Sequence, residues 1–599
     1  MRIKVGGAAP WDRRRFIAFF LAGLVMTSIP QPSPLFAQAV PPIFDPTLRS
    51  GEPRAPLKKE FKPPTPPPSL TLPPVPAPPE GDVQKELGQV RVFVNAIQVT
   101  GNTVFPDSEI KAVTTPYENR TLTTEDLERL RLALTLLYIN NGYITSGAVI
   151  PDQDVKDGVI QIQIIEGALS RIDVEGNNWF RRSYLGDRLM LGAGPPLKIE
   201  PLQERLQLLQ RDARIERINA DLRPGDQRGE SILTVKMREA RPWKVWLDFN
   251  NYQTPIVGAE RGLITLAHQN VTGHGDPFSI TYGGSRGVHP IIDTSYTLPL
   301  NRYDTTFTAS YRRNEFVVVS DQFRALDLNS ESEIFSFTLR HPIYRSLTDE
   351  LAVAITGEHL YNKITSAFDL PGQPFRFIPG SSDTGVSAVS ALRFIQEYQH
   401  RTASSVIALR SRVSVGIDVL GATINSRDAT TAGGEPLPSG RFVSWLGQAQ
   451  AVKRLDYLGG WQILGRLDLQ LSNNRLFPLE QIPVGGRFSV RGYRENTLVR
   501  DNGFLASLES RIPLLKFAGG EDMLQFAQFV DLGRAWLSRT STPAPETLAS
   551  VGLGMRWNVL PRDRARFELY WGVPLNHVPH PAGNLQDHGI HLQVVVQAL

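Results

Sequence analysis

From Trp243 to its end the chain alternates apolar and polar residues. Trp243, Val245, Leu247 and Phe249 share one face of an extended segment, with Lys244 and Asp248 on the other. The same period of two recurs over 278–282, 306–311, 335–339, 463–471, 566–571 and 590–596, the spacing of half-buried β-strands. About 16 such segments fit between 243 and 599, roughly 22 residues per strand and connection, which suits membrane strands of ~9–11 residues with short turns on one side and longer loops on the other. In lipid such strands must close into a barrel, because an open edge leaves backbone groups unpaired. A large soluble β-sandwich would alternate in the same way, so periodicity alone leaves both open. Tyr252, Tyr303 and Trp557 fall near segment ends, where an interfacial aromatic girdle is expected.

Upstream the pattern changes. The segment 97–105, with its Gly101-Asn102 turn, aligns with 172–180 and its Gly176-Asn177 turn, an offset of about 75 residues that fits a small α/β module better than a solenoid repeat. Each copy starts as an alternating strand and runs into helical periodicity. In the first copy Thr124, Asp126 or a neighbour caps a helix carrying Leu127, Leu130, Leu134 and Leu137, and Asn141-Gly142-Tyr143 stops it. Strands follow around 147–151 and 159–165. The second copy places its helix around 202–212 and its closing strand at 231–238. These spans predict modules at 90–168 and 169–240, with the barrel at 241–599.

Residues 1–39 read as a secretory signal peptide: Arg13, Arg14 and Arg15, an apolar run over 16–29, then Ala37-Gln38-Ala39. An uncleaved anchor helix is the alternative. Residues 40–89 form a proline-rich periplasmic linker, which lacks donors and favours extended polyproline II. Composition agrees with export. The chain has 599 residues and 41% hydrophobic content, with a mean hydropathy of −0.19, too polar for a transmembrane helix bundle. It contains no cysteine, which removes disulfides and thiolate chemistry. A net charge of +4 from 64 Lys+Arg against 60 Asp+Glu gives no basic stripe for nucleic acid.

One stretch is chemically distinctive. Val490, Arg491, Gly492 and Tyr493 follow a glycine-bearing turn within the long 473–502 connection, and Phe529, Asp531 and Gly533 lie about 40 residues on in an alternating run. A cation at 491 needs solvent or a carboxylate partner, since burying it unpaired costs several kcal/mol, and an inward-pointing Asp531 would meet it. Enzyme signatures are missing. His577/His580 and His588/His591 lack zinc-site spacing and an accompanying carboxylate. Gly552-x-Gly554 lacks the third glycine of a nucleotide loop, and there is no nucleophile elbow or P-loop. No catalytic, cofactor-binding or metal residue is assigned.

The Val-Arg-Gly-Tyr and Phe-x-Asp-x-Gly motifs closely resemble the signature of the two-partner-secretion transporters, the TpsB-type haemolysin secretion/activation proteins (ShlB/FhaC/HecB-like) of the outer-membrane insertase superfamily. The repeats resemble POTRA domains, and 266–276, with Asn270, Gly273, Gly275 and Asp276, resembles the family's early hairpin, where the glycines permit a tight turn. The resemblance runs from about residue 90 to the C-terminus, which ends on Gln597-Ala598-Leu599 where such barrels often end on an aromatic residue. It implies two POTRA-like modules followed by a 16-stranded antiparallel transmembrane barrel, with 473–502 folded into the lumen so that its tip meets Asp531 on the wall. It further implies a haemolysin-, adhesin- or toxin-secreting pore, or alternatively a barrel-assembly factor. Both would sit in a Gram-negative outer membrane, with the modules in the periplasm. The implied partners are an unfolded exported protein, outer-membrane lipid and the barrel-assembly machinery that inserts the chain. A passive porin leaves the two modules without a purpose, and the modules themselves could be peptide-capturing sheet edges or plain spacers. A plug helix is left open, because Pro53 and Pro56 interrupt the only charged stretch that could form one.

Overall fold

The computed structural model describes residues 91–319, 328–366, 373–374, 378–561, 564–579 and 583–598. The expected signal peptide, the proline-rich linker and any plug lie outside the described residues.

The first module contains β1 (Arg91–Val94), β2 (Ala96–Thr100), α1 (Asp107–Thr114), β3 (Arg120–Thr123), α2 (Thr124–Asn140), β4 (Gly147–Val149) and β5 (Val159–Ile165). The second contains β6 (Ala168–Glu175), α3 (Arg182–Met190), α4 (Ile199–Gln210), β7 (Ile215–Pro224) and β8 (Glu230–Glu239). Both sheets have the same plan: the first strand runs parallel to the last, which pairs antiparallel with the middle one. In α2 the apolar stripe buries Leu130, Leu134 and Tyr138 against Ile160, Ile162 and Ile164 of β5. Its cap is Thr123, the neighbour of Thr124, in a reciprocal capping box with Asp126.

The repeated Gly-Asn turns share one constraint that the alignment does not reveal. A Cβ on Gly101 would lie 2.3 Å from the Ile164 carbonyl oxygen, and one on Gly176 2.3 Å from that of Met237. Both glycines also have positive φ, so no other residue fits without strain. A glutamate ends the closing strand in each copy and collects the turn's orphan amides. Glu166 accepts from Thr103 N at 2.7 Å, Val104 N at 3.2 Å and Tyr138 Oη at 2.8 Å. Glu239 accepts from Asn178, Trp179 and Phe180 N at 3.1, 2.7 and 3.0 Å.

The barrel comprises β9 (Trp243–Asn250), β10 (Arg261–His268), β11 (Phe278–Ser285), β12 (Val288–Pro299), β13 (Thr306–Val317), β14 (Leu328–Arg345) and β15 (Asp349–Ser366). A two-residue pairing, β16 (Gln373–Pro374), precedes β17 (Val386–Arg401), β18 (Ser405–Ile417), β19 (Val443–Leu455) and β20 (Trp461–Ser472). Two short strands, β21 (Ile482–Val484) and β22 (Leu498–Arg500), interrupt the order before β23 (Asn502–Lys516), β24 (Asp522–Trp536), β25 (Thr547–Leu560), β26 (Ala565–Pro574) and β27 (Ile590–Gln597). Leaving out β16 and the β21–β22 pair, sixteen antiparallel strands close through β27 and β9, with Val594 opposite Phe249. Exposed apolar residues alternate along most wall strands, as in Val551, Leu553, Met555 and Trp557 of β25, giving the outward apolar band that a membrane barrel requires. Tyr303 and Trp557 are exposed, as an aromatic girdle demands. Tyr252 is not: it is buried, its ring 5.2 Å from that of Phe488, because the chain turns inward after β9.

Burial of the Glu166 carboxylate opposes its ionisation, but the hydrogen bonds from Thr103, Tyr138 and Val104 outweigh that and hold its pKa below the ordinary glutamate range. Glu166 therefore stabilises the first module above the unfolded-state pKa of about 4.3, and that contribution is lost as pH falls through the lower folded value. Glu166→Gln should cost about 1–2 kcal/mol at pH 7 and flatten the acid limb of the module's stability. Amide exchange in α2, followed from pH 7 to 3, measures both.

Candidate functional site

The connection between β20 and β23 does not project into solvent. It returns into the barrel, where β21 and β22 pair as a small hairpin with Val484 opposite Leu498. Tight turns at Gly485 (φ 112°) and Gly492 (φ 94°) bracket the tip and present Arg491 to the wall. The guanidinium grips Asp531 bidentately, Nε to Oδ2 at 2.7 Å and Nη2 to Oδ1 at 2.8 Å, while the Arg491 backbone N donates to Oδ2 at 3.0 Å. Glu509 takes Nη1, and Ser507 Oγ accepts from Nη2 at 3.1 Å. The ring of Phe529 lies 3.6 Å below the guanidinium carbon, close enough for cation–π attraction.

Strand alternation explains the wall motif. Phe529, Asp531 and Gly533 are successive lumen-facing positions of β24. The first stacks on the guanidinium and the second binds it. The third leaves room, since a Cβ at 533 would come 2.6 Å from Val484 and 2.8 Å from Val490. Gly492 packs on Gly572 of β26, where an added Cβ would lie 2.8 Å from the Gly572 carbonyl. Tyr493 Oη lies 2.7 Å from Asn576 Oδ1 and 3.0 Å from the Ala549 carbonyl. All seven motif residues thus converge on one contact zone.

Lumen charges of a barrel this wide are expected to be partly solvated, and here they are not. Arg491 is 3% exposed and Asp531 1%, because the loop tip and the Phe529 and Tyr570 rings exclude water. Several partners carry no sequence motif. Arg487 pairs with Glu568 at 2.9 Å and lies 3.8 Å over Tyr570. Tyr570 Oη donates to Glu509 at 3.1 Å, and Arg556 reaches Glu568 at 2.9 Å. A second anchor holds the loop near its start: Arg393 of β17 bridges Glu358 of β15 at 2.5 Å and Glu480 of the loop at 2.7 Å. The available signal was weak, a charge at the inward phase of a wall strand, as at 358, 393, 509 and 568.

The early hairpin has a second task besides turning the chain. Asp276 accepts from Thr272 N at 3.0 Å and Tyr296 Oη at 2.7 Å, and Asn270 Oδ1 accepts from Gly275 N at 2.8 Å. The carbonyls this frees take up the second module. Arg181 N donates to Gly273 O at 2.9 Å, Arg181 Nε to Thr272 O at 2.9 Å, and Arg214 Nη1 to Gly275 O. A Cβ at Gly275 would strike Arg214 and Tyr184. Arg188 binds Asp304 at 2.9 Å in the next turn on this rim, and Glu204 and Arg211 bind the backbone of Leu347 in the one after. The module therefore spans three rim turns. Between α4 and the wall lies a cavity of about 540 Å³, lined by Arg211, Arg340, Arg345, Glu350, Glu397 and Arg401 among others.

A closed sixteen-stranded barrel with a lipid-facing band, a module docked across one mouth and a loop locked in its lumen defines an outer-membrane transporter. The sequence model of the POTRA domain, ShlB-type, matches residues 92–167, and that of the haemolysin secretion/activation protein ShlB/FhaC/HecB matches 229–368 and 381–557. The latter covers more than half of the chain, which belongs to this family. Outer membrane transporter CdiB of Dickeya dadantii (strain 3937) is 24% identical over 405 residues, 67% of this chain and 68% of that protein. Hemolysin transporter protein ShlB of Serratia marcescens is 24% identical over 218 residues, 36% of each chain. Among solved structures, CdiB from Escherichia coli superposes with a TM-score of 0.60 at 22% identity, covering 88% of this chain and 93% of that one. BamA from Haemophilus ducreyi lacking POTRA domains 1–3 gives 0.50 at 12% identity, covering 84% of this chain and all of the other, a likeness of fold.

Gly533→Ala should unseat the loop tip through overpacking of ~1–3 kcal/mol without preventing barrel closure. In a Ser489→Cys background, maleimide labelling of the folded protein should become at least several-fold faster. An unchanged rate would show that Gly533 does not set the loop position.

Proposed function

We propose that the chain is the outer-membrane pore that secretes a large exported partner, such as a haemolysin, adhesin or toxin, by two-partner secretion. The observation that carries this reading is the loop returning into the lumen above the docked module, held by ion pairs at its tip and near its start. Polar anchors of this kind can exchange for water or for an arriving polypeptide, whereas an apolar plug has no such substitute. In this scheme the modules meet the unfolded partner first, their exposed sheet edges offering strand addition. The chain then enters past the cavity under α4, the loop yields, and folding at the cell surface makes the movement directional without a nucleotide or cofactor. Outer-membrane lipid covers the apolar band, and the barrel-assembly machinery inserts the transporter. Arg491 and Asp531 hold the loop, Gly492 and Gly533 set its approach, and Tyr493 ties it to β25. The pair 101–102 and 176–177 shape the modules, which we read as two POTRA domains, and 270–276 seats the second of them.

Deleting residues 90–240 should leave a barrel that inserts yet exports nothing. Partner protein in the culture supernatant at wild-type level would remove the modules from the mechanism. Insertion of other barrels in a reconstituted assay, with no effect on export, would favour an assembly factor instead.

Arg491→Ala takes the guanidinium from the buried Asp531 and leaves Glu509 with Arg511 and Tyr570, and breaking a buried ion pair of the Asp531 kind costs ~3–5 kcal/mol. Export should fall sharply at matched barrel levels, Asp531→Ala should do nearly the same, and the double variant should be no worse than either alone. Arg491→Lys should rescue poorly, because an ammonium cannot make the bidentate contact. Independent, additive effects of the two single changes would show that the contact is not what export requires.

A further inference from the structure

The turn that repeats between the modules changes most in side-chain size at one position: the first copy carries Val104 where the second carries Trp179. Trp179 belongs to the periplasmic module, yet its ring lies 5.6 Å from that of His268, nearly edge-on at 70°. His268 ends β10 in phase with Ile264 and Leu266, which are exposed on the outer wall of the barrel. A histidine there should be exposed as well. It is only 9% exposed, because Trp179 covers one side and Trp243, 4.6 Å away, covers the other. The second module therefore reaches past the rim and lays an indole on the lipid-facing surface.

Trp179 keeps 46% of its surface exposed and Trp243 56%. Together with Leu247, Leu266 and Phe278 they make an apolar patch continuous with the outward band at its periplasmic edge. The turn is rigid, its amides held by Glu239 and its next residue, Arg181, tied to the Gly273 carbonyl. A fixed indole with an apolar ring and a polar N–H is the side chain that partitions to the headgroup region of a bilayer.

We propose that Trp179 anchors the second module in the headgroup region of the periplasmic leaflet, so that the partner of this surface is a phospholipid monolayer. The inference rests on the outer-membrane placement of the barrel and goes beyond it. Lipid, as well as the three rim turns, then fixes where the module sits below the lumen.

The absence of native cysteine makes the test direct. The full chain carrying Trp179→Cys, Leu266→Cys or Phe93→Cys is labelled with an environment-sensitive fluorophore. Each variant is reconstituted into phosphatidylethanolamine–phosphatidylglycerol vesicles containing spin-labelled lipid, with the spin near the headgroup or deep in the acyl chain. The label at 179 should be quenched at least twofold, more by the shallow spin than the deep one. The label at 266 should be quenched more by the deep spin, and that at 93, exposed on the first module, by neither. Quenching at 266 but not at 179 overturns the proposal while leaving the barrel's placement intact. Quenching at neither overturns both. Because the cysteine replaces the indole, loss of native tryptophan quenching by brominated lipid in Trp179→Phe, compared with the unaltered chain, provides the second measurement, and no loss counts against the anchor.

Discussion

The buried guanidinium of Arg491 sets the terms for the rest of the barrel interior. A cation so secluded cannot persist without compensation, and the wall is built to provide it: two carboxylates, a hydroxyl and an aromatic face from β23 and β24. Those carboxylates create their own demand, met by Arg511 at Glu509, with Tyr570 donating to the same group. Arg487, Arg556 and Glu568 extend the network to β25 and β26. Within the network Glu568 meets Arg487, Arg556 and Arg566, and Glu509 meets Arg491 and Arg511, so the buried charges are shared among several partners rather than held in isolated pairs. This is why it fixes the loop in one position although no single pair contributes a large net share of stability.

Glycine is the complementary constraint. The loop tip approaches β24 and β26 so closely that Gly492, Gly533 and Gly572 leave no room for a side chain between them. The same device operates at the rim, where Gly273 and Gly275 let Arg181 and Arg214 reach the hairpin carbonyls. In both places close backbone approach supplies position and arginine supplies the bond. The loop and the second module are thus docked onto the barrel by one physical strategy, at opposite ends of the same passage.

The wall strands and the helices of the modules were legible because their signal is periodic. Alternation from Trp243 onward fixes which residues face lipid, and the leucine stripe of α2 fixes its buried face. The Arg491 motif was legible because a cation between turns needs a partner, and Asp531 lies in phase to provide one. Tyr252 misleads because position near a strand end does not specify the direction in which the following loop turns. Glu509, Glu568 and Arg393 were hidden for a different reason. A charged residue at the inward phase of a strand is the ordinary state of a water-filled barrel, and only the return of 473–501 into the lumen turns these residues into buried partners. Glu166 and Glu239 are similar cases, single acidic residues at strand ends whose role depends on the turn they meet.

A polar lock has a consequence that an apolar one lacks. Apolar packing of the loop would be non-directional, and its strength would scale with buried area whatever entered the lumen. Ion pairs and hydrogen bonds depend on geometry and on the exclusion of water, so admitting water or competing backbone groups weakens every member of the network together. The loop hairpin also packs through Ile482, Val484, Val490 and Leu498 on Leu505, Ala535 and Leu548 of the wall, so in the proposed mechanism the polar contacts are the part of the lock that a chain bringing its own hydrogen-bonding groups would exchange. In the proposed mechanism two separated anchors, Arg393 with Glu480 near the loop's start and Arg491 with Asp531 at its tip, would let that release proceed in two steps. Entry from beneath the second module would then meet the lock as a sequence of exchangeable contacts, which suits the passage of an extended polypeptide better than a single hinged barrier.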